Sequence, residues 1–177
     1  MSGTLYLSGD VNSEMVGRVL QRLEDGALDR IVINSTGGDA CDAFAIYDAL
    51  IGRNITIIAT GVCMSAAVII LLAGAHRYAT EHTRFLLHPV GVTPEDDAEI
   101  TETDIAESAA IQDQWATALH QRAGMTLTAA QLMLSAENYF SAEDAQKMGI
   151  IDGIWQETKQ SVWRESMRDT AYLKEAR

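Results

Sequence analysis

Cysteine is scarce in this chain of 177 residues, and acidic side chains outnumber basic ones. The two cysteines, Cys41 and Cys63, form no CxxC pair and lack metal-ligand spacing, so we expect reduced thiols and no metal site, as in a cytoplasmic protein. Lys and Arg number 13 against 25 Asp and Glu, a net charge of −12 that disfavours nucleic acid or an anionic membrane as a partner. The first ten residues, MSGTLYLSGD, lack the basic segment and apolar run of a signal peptide.

Repeats, low-complexity segments and an interdomain linker are also absent from the sequence. A hydrophobic content of 47% and a mean hydropathy near zero are typical of a globular protein, and the length suits one domain with its own core. Residues 157–177 are polar and charged, which predicts a frayed tail or a surface helix. The sequence therefore predicts a single domain.

The longest uncharged run, residues 55–74, reads ITIIATGVCMSAAVIILLAG. At about 20 residues it is long enough to span a bilayer, so a membrane segment is one interpretation. Against it, residues 55–58 favour a buried strand, Gly61 breaks the pattern, and residues 66–73 favour a buried helix. This second interpretation places Ser65 at the N-terminal end of a buried helix, where helix-end N–H groups can stabilise an anion.

Strands and helices alternate before this run as well. Apolar patterns predict strands over residues 4–8 and 30–34, and helices from a cap at Asn12 or Ser13 to Gly26 and over residues 40–51. With the strand and helix of the uncharged run, this makes three successive strand–helix units. The order predicts parallel pairing with right-handed crossovers, which is the α/β class.

The second half of the chain predicts shorter strands around one long helix. The predicted strands cover residues 77–79, 84–87 and 150–155. The predicted helices cover residues 98–122 and residues near 127–134. A further helix begins at a cap formed by Ser141 and Asp144 and ends at Gly149. The strand over 84–87 delivers His88 at its end. The long helix carries apolar residues on more than one face, including Ile105, Ile111 and Trp115, which predicts contact with another subunit.

Several residues could carry chemistry, although each has an ordinary structural explanation by itself. A serine becomes a nucleophile only beside a base, and that base needs an orienting partner. Ser65 fits the nucleophile but could simply fill core space, and His88 fits the base but could be a structural histidine. Glu137 could be a surface carboxylate, and Gly37-Gly38 could be an ordinary turn.

Taken together, four motifs resemble those of ClpP, the proteolytic subunit family of the Clp protease. They are NSTGG at 34–38, GVCMSAA at 61–67, RFLLHP at 84–89 and ENYFSAEDAQKMGIID at 137–152. The corresponding family patterns are NSPGG, GxAxSMGA, RxMIHQP and DRxFxSAxEAxxYGLID. The resemblance covers residues 4–155 in the same order.

The resemblance implies a role for five residues. Ser65 is similar to the family's nucleophile and His88 to its general base, while the family's triad aspartate falls on Glu137. The oxyanion hole would consist of the N–H groups of Gly38 and Ala66. The implied activity is that of a serine endopeptidase acting on peptides and unfolded proteins, with no cofactor.

The resemblance also implies a fold and an assembly. The fold would be the ClpP/crotonase-type spiral of βαβ units, and heptameric rings would stack as a tetradecamer that encloses a chamber. Within one domain over residues 1–177, the expected parts are a head (1–88 and 124–155), a handle where the rings meet (89–123) and a tail (157–177).

Several positions depart from the family pattern. Thr36 replaces a proline, and Ala67 replaces the glycine directly behind the nucleophile. Glu137 is one methylene longer than the family's aspartate. Ala136 replaces an arginine that could form a ring-to-ring ion pair. Pro94 falls where the family has a glycine-rich strand that pairs with substrate, and proline cannot donate a ladder hydrogen bond.

The family's N-terminal segment, which gates the axial pore and meets an ATPase, has no counterpart before Thr4. From this we expect a wider pore, cleavage without ATP, little gain from a Clp-type ATPase, and a reduced homologue such as a phage encodes.

Three functional hypotheses follow from these observations. The first is a serine endopeptidase in an oligomeric chamber. The second is a ClpP-like ring subunit with weak or no catalysis, which Glu137, Ala67 and Pro94 favour. The third is a crotonase-type acyl-CoA enzyme, which shares the fold but needs no serine–histidine pair, so that Ser65 and His88 argue against it.

Overall fold

The computed structural model of the protein describes residues 3–26, 28–92 and 99–156. The predicted tail (157–177) and Pro94 lie outside these described residues. The elements of the described part follow one another as β1 (Gly3–Ser8), α1 (Ser13–Glu24), β2 (Leu28–Ser35), α2 (Ala40–Leu50), β3 (Thr56–Met64), α3 (Ala66–Leu72), β4 (His76–Ala79), β5 (Arg84–Leu87), α4 (Glu102–Ala123), α5 (Leu127–Met133), β6 (Asn138–Ser141), α6 (Ala142–Lys147) and β7 (Gly153–Ile154).

The strands form one mixed sheet. Strands β1, β2, β3, β4 and β7 are neighbours in that order and pair in parallel. Strand β5 also pairs with β3 in parallel, whereas β6 pairs with β5 in the antiparallel direction. The predicted α/β class with parallel pairing is therefore confirmed, and β6 is an addition to it.

The last predicted strand, over residues 150–155, is wrong for most of its length. Only Gly153–Ile154 form a strand. The N–H of Ile150 instead donates to the carbonyl oxygen of Ala145, 2.9 Å away, which closes the end of α6 after Gly149. The cap that begins α6 is confirmed, because Ser141 and Asp144 form a reciprocal capping box.

Strand β3 runs through Gly61 and bends there, so the predicted break at this glycine is wrong. Its first half pairs with β4, and its second half leaves β4 and pairs with β5. Gly61 has φ of 61°, and a Cβ atom at this position would lie 2.9 Å from Oδ1 of Asn34. The same oxygen accepts the N–H of Val62 at 3.1 Å. The bend brings the end of β3 beside the end of β5, where Ser65 and His88 follow.

Helix α3 forms the centre of the core. All seven of its residues, Ala66–Leu72, are buried. The helix spans only about 10 Å at 1.5 Å per residue, far less than a bilayer. The run 55–74 therefore forms a strand followed by a short buried helix, which is the second interpretation of the sequence. Among the described residues no helix is both long and apolar enough to cross a membrane. Burial of each Leu or Ile side chain contributes about 1.5–3 kcal/mol to folding.

Helix α4 begins at Glu102, later than the predicted start at residue 98. The reason is a capping box at Thr101: its hydroxyl oxygen accepts the N–H of Asp104, and the Asp104 carboxylate accepts the N–H of Thr101 at 2.8 Å. The hydrogen bonds from the backbone and side chain of Thr101 also lower the pKa of Asp104.

The apolar residues of α4 divide between the core and the surface. Trp115 is 1% exposed and packs in the core of its own domain, so it is not one of the apolar residues that this helix presents at the surface. Ile105 is 58% exposed and Ile100, just before the helix, is 51% exposed. The N-terminal end of α4 therefore presents exposed apolar side chains at the surface of the described structure.

Two arginines form hydrogen bonds that link the C-terminal end of α4 to α3 and to the sheet. Arg122 donates from Nε to the carbonyl oxygen of Leu72 (2.9 Å) and from Nη2 to that of Gly74 (2.7 Å). Arg77 donates to the carbonyl oxygen of Arg122 at 2.7 Å and pairs with Asp152 at 2.9 Å. These bonds satisfy carbonyl groups at two helix C-termini and fix α4 across the core, which carries Trp115 to the edge of the site.

Candidate active site

Ser65 occupies the sharp turn between β3 and α3. Its φ of 52° and ψ of −130° make it the one non-glycine residue with positive φ in the described part of the chain. Such a conformation costs about 1–3 kcal/mol and persists only where neighbouring contacts enforce it. Here the Ser65 N–H donates to the carbonyl oxygen of Leu86 at 2.8 Å, and the Ser65 carbonyl accepts the N–H of Val68 at 2.9 Å. The strained turn frees the Ser65 hydroxyl from capping α3 and leaves it available to His88.

His88 lies directly beyond β5 and contacts Ser65. Nε2 of His88 is 2.7 Å from Oγ of Ser65, and Nδ1 is 2.6 Å from the carbonyl oxygen of Pro89. Because a carbonyl oxygen only accepts hydrogen bonds, the contact with Pro89 requires the proton of the neutral ring to be on Nδ1. Nε2 then accepts the hydroxyl proton of Ser65, which is the arrangement that a general base needs.

Glu137 is the predicted carboxylate partner of His88. Its backbone lies near His88, but its side chain forms no hydrogen bond with the imidazole in the described structure. In the antiparallel register Leu87 pairs with Asn138, so Glu137 is the next residue opposite His88 at the end of the ladder. Its side chain is exposed. The role of Glu137 in a triad therefore stays a prediction.

The two glycines after β2 pack directly against the serine. Gly37 and Gly38 have φ of 106° and 149°, and a Cβ atom at Gly37 would lie 2.7 Å from Cβ of Ser65. The Gly37 N–H donates to Oγ of Ser35 at 3.1 Å. In the described structure the N–H groups of Gly38 and Ala66 donate to no protein atom, and both residues line the cleft beside Ser65. N–H groups without a protein partner can bind a negatively charged oxygen, and the oxyanion hole that the family resemblance implies at Gly38 and Ala66 stays a prediction.

The cleft at this site has a volume of about 500 Å³. One side is apolar and consists of Val90, Ile111 and Trp115. The Trp115 ring meets the His88 ring edge to face, with centroids 6.5 Å apart and planes at 83°. The full lining is Gly38, Asp39, Ala40, Cys41, Ser65, Ala66, His88, Val90, Gly91, Ile111 and Trp115.

Cys41 also lines the cleft, but its environment disfavours a nucleophilic role. Partial burial raises the pKa of the Cys41 thiol, and the carboxylates of Asp39, Glu107 and Asp42 raise it further. Complete burial raises the pKa of Cys63 as well. Since the thiolate is the reactive form of cysteine, the raised pKa values disfavour a nucleophilic role for either side chain. No group of three or more His, Cys, Asp and Glu side chains that could hold a metal ion occurs within the described ranges.

Three residues that contact the site were missed at the level of sequence. Besides Trp115, they are Gln112, whose Oε1 accepts the N–H of Val90 at 3.1 Å, and Ser108, whose hydroxyl donates to the Val90 carbonyl oxygen at 2.8 Å. They come from α4, about 20 residues beyond His88. Ser108, Gln112 and Trp115 are spaced four and three residues apart, which places them on one helix face. Nothing in the sequence indicates that this face meets the site.

Comparisons with known proteins agree with the resemblance of the four motifs. The Clp protease family matches residues 4–158. An ATP-dependent Clp protease proteolytic subunit of Pleurastrum terricola is 31% identical over 159 residues, which cover 84% of this chain and 81% of that protein. An ATP-dependent Clp protease proteolytic subunit 3 of Frankia casuarinae is 34% identical over 155 residues, which cover 82% of this chain and 71% of that protein. The chain therefore belongs to the Clp protease family.

Proposed function

We propose that this protein is a serine endopeptidase that cleaves peptides and unfolded proteins, with Ser65 as nucleophile and His88 as general base. The observation that carries the proposal is the 2.7 Å contact between Oγ of Ser65 and Nε2 of His88, beside the N–H groups of Gly38 and Ala66 that line the cleft. The free thiols Cys41 and Cys63 suit a reducing cytoplasm.

The proposed reaction follows from the positions of these groups. Oγ of Ser65 attacks the carbonyl carbon of the scissile peptide bond while Nε2 of His88 takes the hydroxyl proton. The oxyanion that forms accepts hydrogen bonds from the N–H groups of Gly38 and Ala66. The protonated His88 then gives its proton to the leaving amine, and water releases the acyl group from Ser65 by the same steps in reverse order.

A fluorophosphonate probe tests the proposal. The probe forms a bond from phosphorus to an activated serine oxygen and releases fluoride, so we expect stoichiometric labelling of the wild-type protein, mapped by mass spectrometry to the peptide that contains Ser65. Absence of labelling under conditions that label an established serine peptidase would count against the proposal. A tagged folded substrate, with and without a Clp-type ATPase and ATP, tests whether the peptidase acts alone or with such a partner.

A ring subunit with weak catalysis is the second candidate, and the exposed position of Glu137 is the observation that favours it.

We retain Glu137 as the proposed third member of the triad. If it engages His88 during turnover, Glu137→Gln should lower kcat about 10- to 100-fold with little change in the unfolding midpoint, because a solvent-exposed carboxylate contributes less than a buried one. Glu137→Asp, which shortens the side chain and keeps the charge, is the matched control. Unchanged kinetics in Glu137→Gln would leave a serine–histidine dyad.

We further propose that the protein assembles into rings that stack through the N-terminal end of α4. The exposed isoleucines there, Ile100 and Ile105, support this contact because large apolar side chains at the surface gain free energy when a partner covers them. A stacked double ring would contain about fourteen chains, as the family resemblance implies.

Replacing Ile105 with glutamate should separate the proposed rings. The substitution places a charge in an apolar contact between subunits, so we expect the sedimenting species to shrink from about fourteen chains to about seven. Circular dichroism should not change, because the exposed Ile105 side chain is not part of the hydrophobic core of the described structure. Ile105→Leu, which keeps the apolar surface, should sediment like the wild type. A folded wild-type monomer at micromolar concentration would contradict the assembly model.

A further inference from the structure

The peptide unit between Pro89 and Val90 connects the candidate base to α4. Its carbonyl oxygen lies 2.6 Å from Nδ1 of His88, and its N–H donates to Oε1 of Gln112 at 3.1 Å. The peptide is trans, as are all others in the described ranges, so its C=O and N–H point in opposite directions within one plane. A hydrogen bond that holds the N–H toward Gln112 therefore holds the carbonyl oxygen toward His88.

A second hydrogen bond holds the other side of Val90. The hydroxyl of Ser108 donates to the Val90 carbonyl oxygen at 2.8 Å. Ser108 and Gln112 are four residues apart, so they lie on the same face of α4 and contact both polar groups of one backbone residue. Both side chains are partly buried, which strengthens these bonds relative to bonds in water.

These hydrogen bonds affect which ring nitrogen of His88 carries the proton. A neutral imidazole carries its proton on Nδ1 or on Nε2, and only the form with Nδ1–H leaves Nε2 free to accept the Ser65 hydroxyl proton. The Pro89 carbonyl accepts from Nδ1–H and so stabilises the productive form. Donation of the Val90 N–H to Gln112 polarises the same peptide unit and makes its carbonyl a stronger acceptor.

We propose that Gln112 and Ser108 are positioning residues, which hold the Pro89 carbonyl oxygen on Nδ1 of His88 and thereby keep the imidazole in the form that can deprotonate Ser65. This inference rests on the proposed peptidase function. In the described conformation the Pro89 carbonyl oxygen accepts the Nδ1–H hydrogen bond of His88, which the carboxylate accepts in a serine–histidine–aspartate triad.

Kinetics provide the first test. Gln112→Met keeps the length of the side chain and removes the acceptor, and we expect kcat to fall about tenfold with little change in KM. Ser108→Ala should lower kcat about threefold, and Ser108→Thr, which keeps the hydroxyl, should restore it. The control is Gln114→Met, because Gln114 lies on the same helix but is exposed and outside the cleft. Sedimentation and circular dichroism of each variant exclude effects of assembly and folding.

Magic-angle-spinning NMR of protein labelled with ¹⁵N in histidine provides a readout that a purely structural role does not change. The chain has four histidines, so a spectrum of His88→Gln assigns the His88 signals by difference. At a pH of about 8.5, where imidazole is neutral, we expect protonated Nδ1 and unprotonated Nε2 in the wild type and a mixture of both forms in Gln112→Met.

The outcomes separate this inference from the proposed function. Loss of the Nδ1–H form together with a lower kcat in Gln112→Met supports the inference. If the protein proves to have no peptidase activity, the function fails, and the NMR spectra still decide whether Gln112 controls the proton position. An Nδ1–H form that persists in both Gln112→Met and Ser108→Ala would overturn the inference, and so would kcat values that fall only in Glu137→Gln.

Discussion

Replacement of Ser65 by alanine should abolish fluorophosphonate labelling and lower the proposed peptidase activity by about 10⁴- to 10⁶-fold, as the loss of a nucleophile does in serine peptidases. In the proposed mechanism Ser65 carries the oxygen that attacks the substrate and receives the acyl group, so the substitution removes the reacting atom itself. Cys41 lines the same cleft, but its raised pKa disfavours the thiolate that could take over the role. The measurement is kcat/KM for a short fluorogenic peptide together with labelling by the probe.

The fold of this variant should remain intact. Alanine keeps the Cβ atom and the strained backbone of Ser65, so the main loss in the folded state is one hydrogen bond to His88, worth about 1 kcal/mol. Ser135→Ala is the matched control, because this exposed serine also loses one hydrogen bond, to the carbonyl oxygen of Leu132, but lies outside the cleft. Labelling of Ser65→Ala at the wild-type rate would show that another residue reacts with the probe.

Gly38→Ala should lower kcat/KM about 10²- to 10³-fold, which is the usual cost of losing one oxyanion donor. A Cβ atom at Gly38 would overlap the carbonyl oxygen of Val11 and lie 2.7 Å from its nitrogen. The segment that bears the Gly38 N–H must therefore move away from Val11 and out of its position beside Ser65. The φ of 149° adds strain that alanine tolerates poorly.

Stability measurements separate this catalytic effect from unfolding. We expect Gly38→Ala to lower the free energy of unfolding by about 1–3 kcal/mol, so that the protein stays folded at 25 °C while turnover is lost. Gly17→Ala is the control, because Gly17 is exposed in α1 and a Cβ atom added there would point into open space. Alanine at this position should stabilise the helix by about 1 kcal/mol. Wild-type turnover by a folded Gly38→Ala protein would remove Gly38 from the proposed oxyanion hole.

The sequence by itself determined much of the local structure of this protein. Apolar patterns predicted β1, β2, β5 and the buried helix α3. A cap at Asn12 or Ser13 predicted the start of α1, which Asn12 caps, and a cap at Ser141 predicted the start of α6. The position of Ser65 between a strand and a helix followed from the same patterns. These features depend on residues within a few positions of each other, because capping, turns and amphipathic spacing are short-range interactions.

Tertiary structure decided how the site is assembled. The bend of β3 at Gly61 exchanges β4 for β5 as partner, and this exchange brings Ser65 to His88 across 23 positions of sequence. The same packing buries Trp115 in the core and places Gln112 against the backbone of Val90, two residues after His88. It leaves Glu137 exposed at the strand edge without a hydrogen bond to His88 in the described structure. Contacts of this kind join segments far apart in the chain and depend on packing of the whole core, which no local pattern encodes.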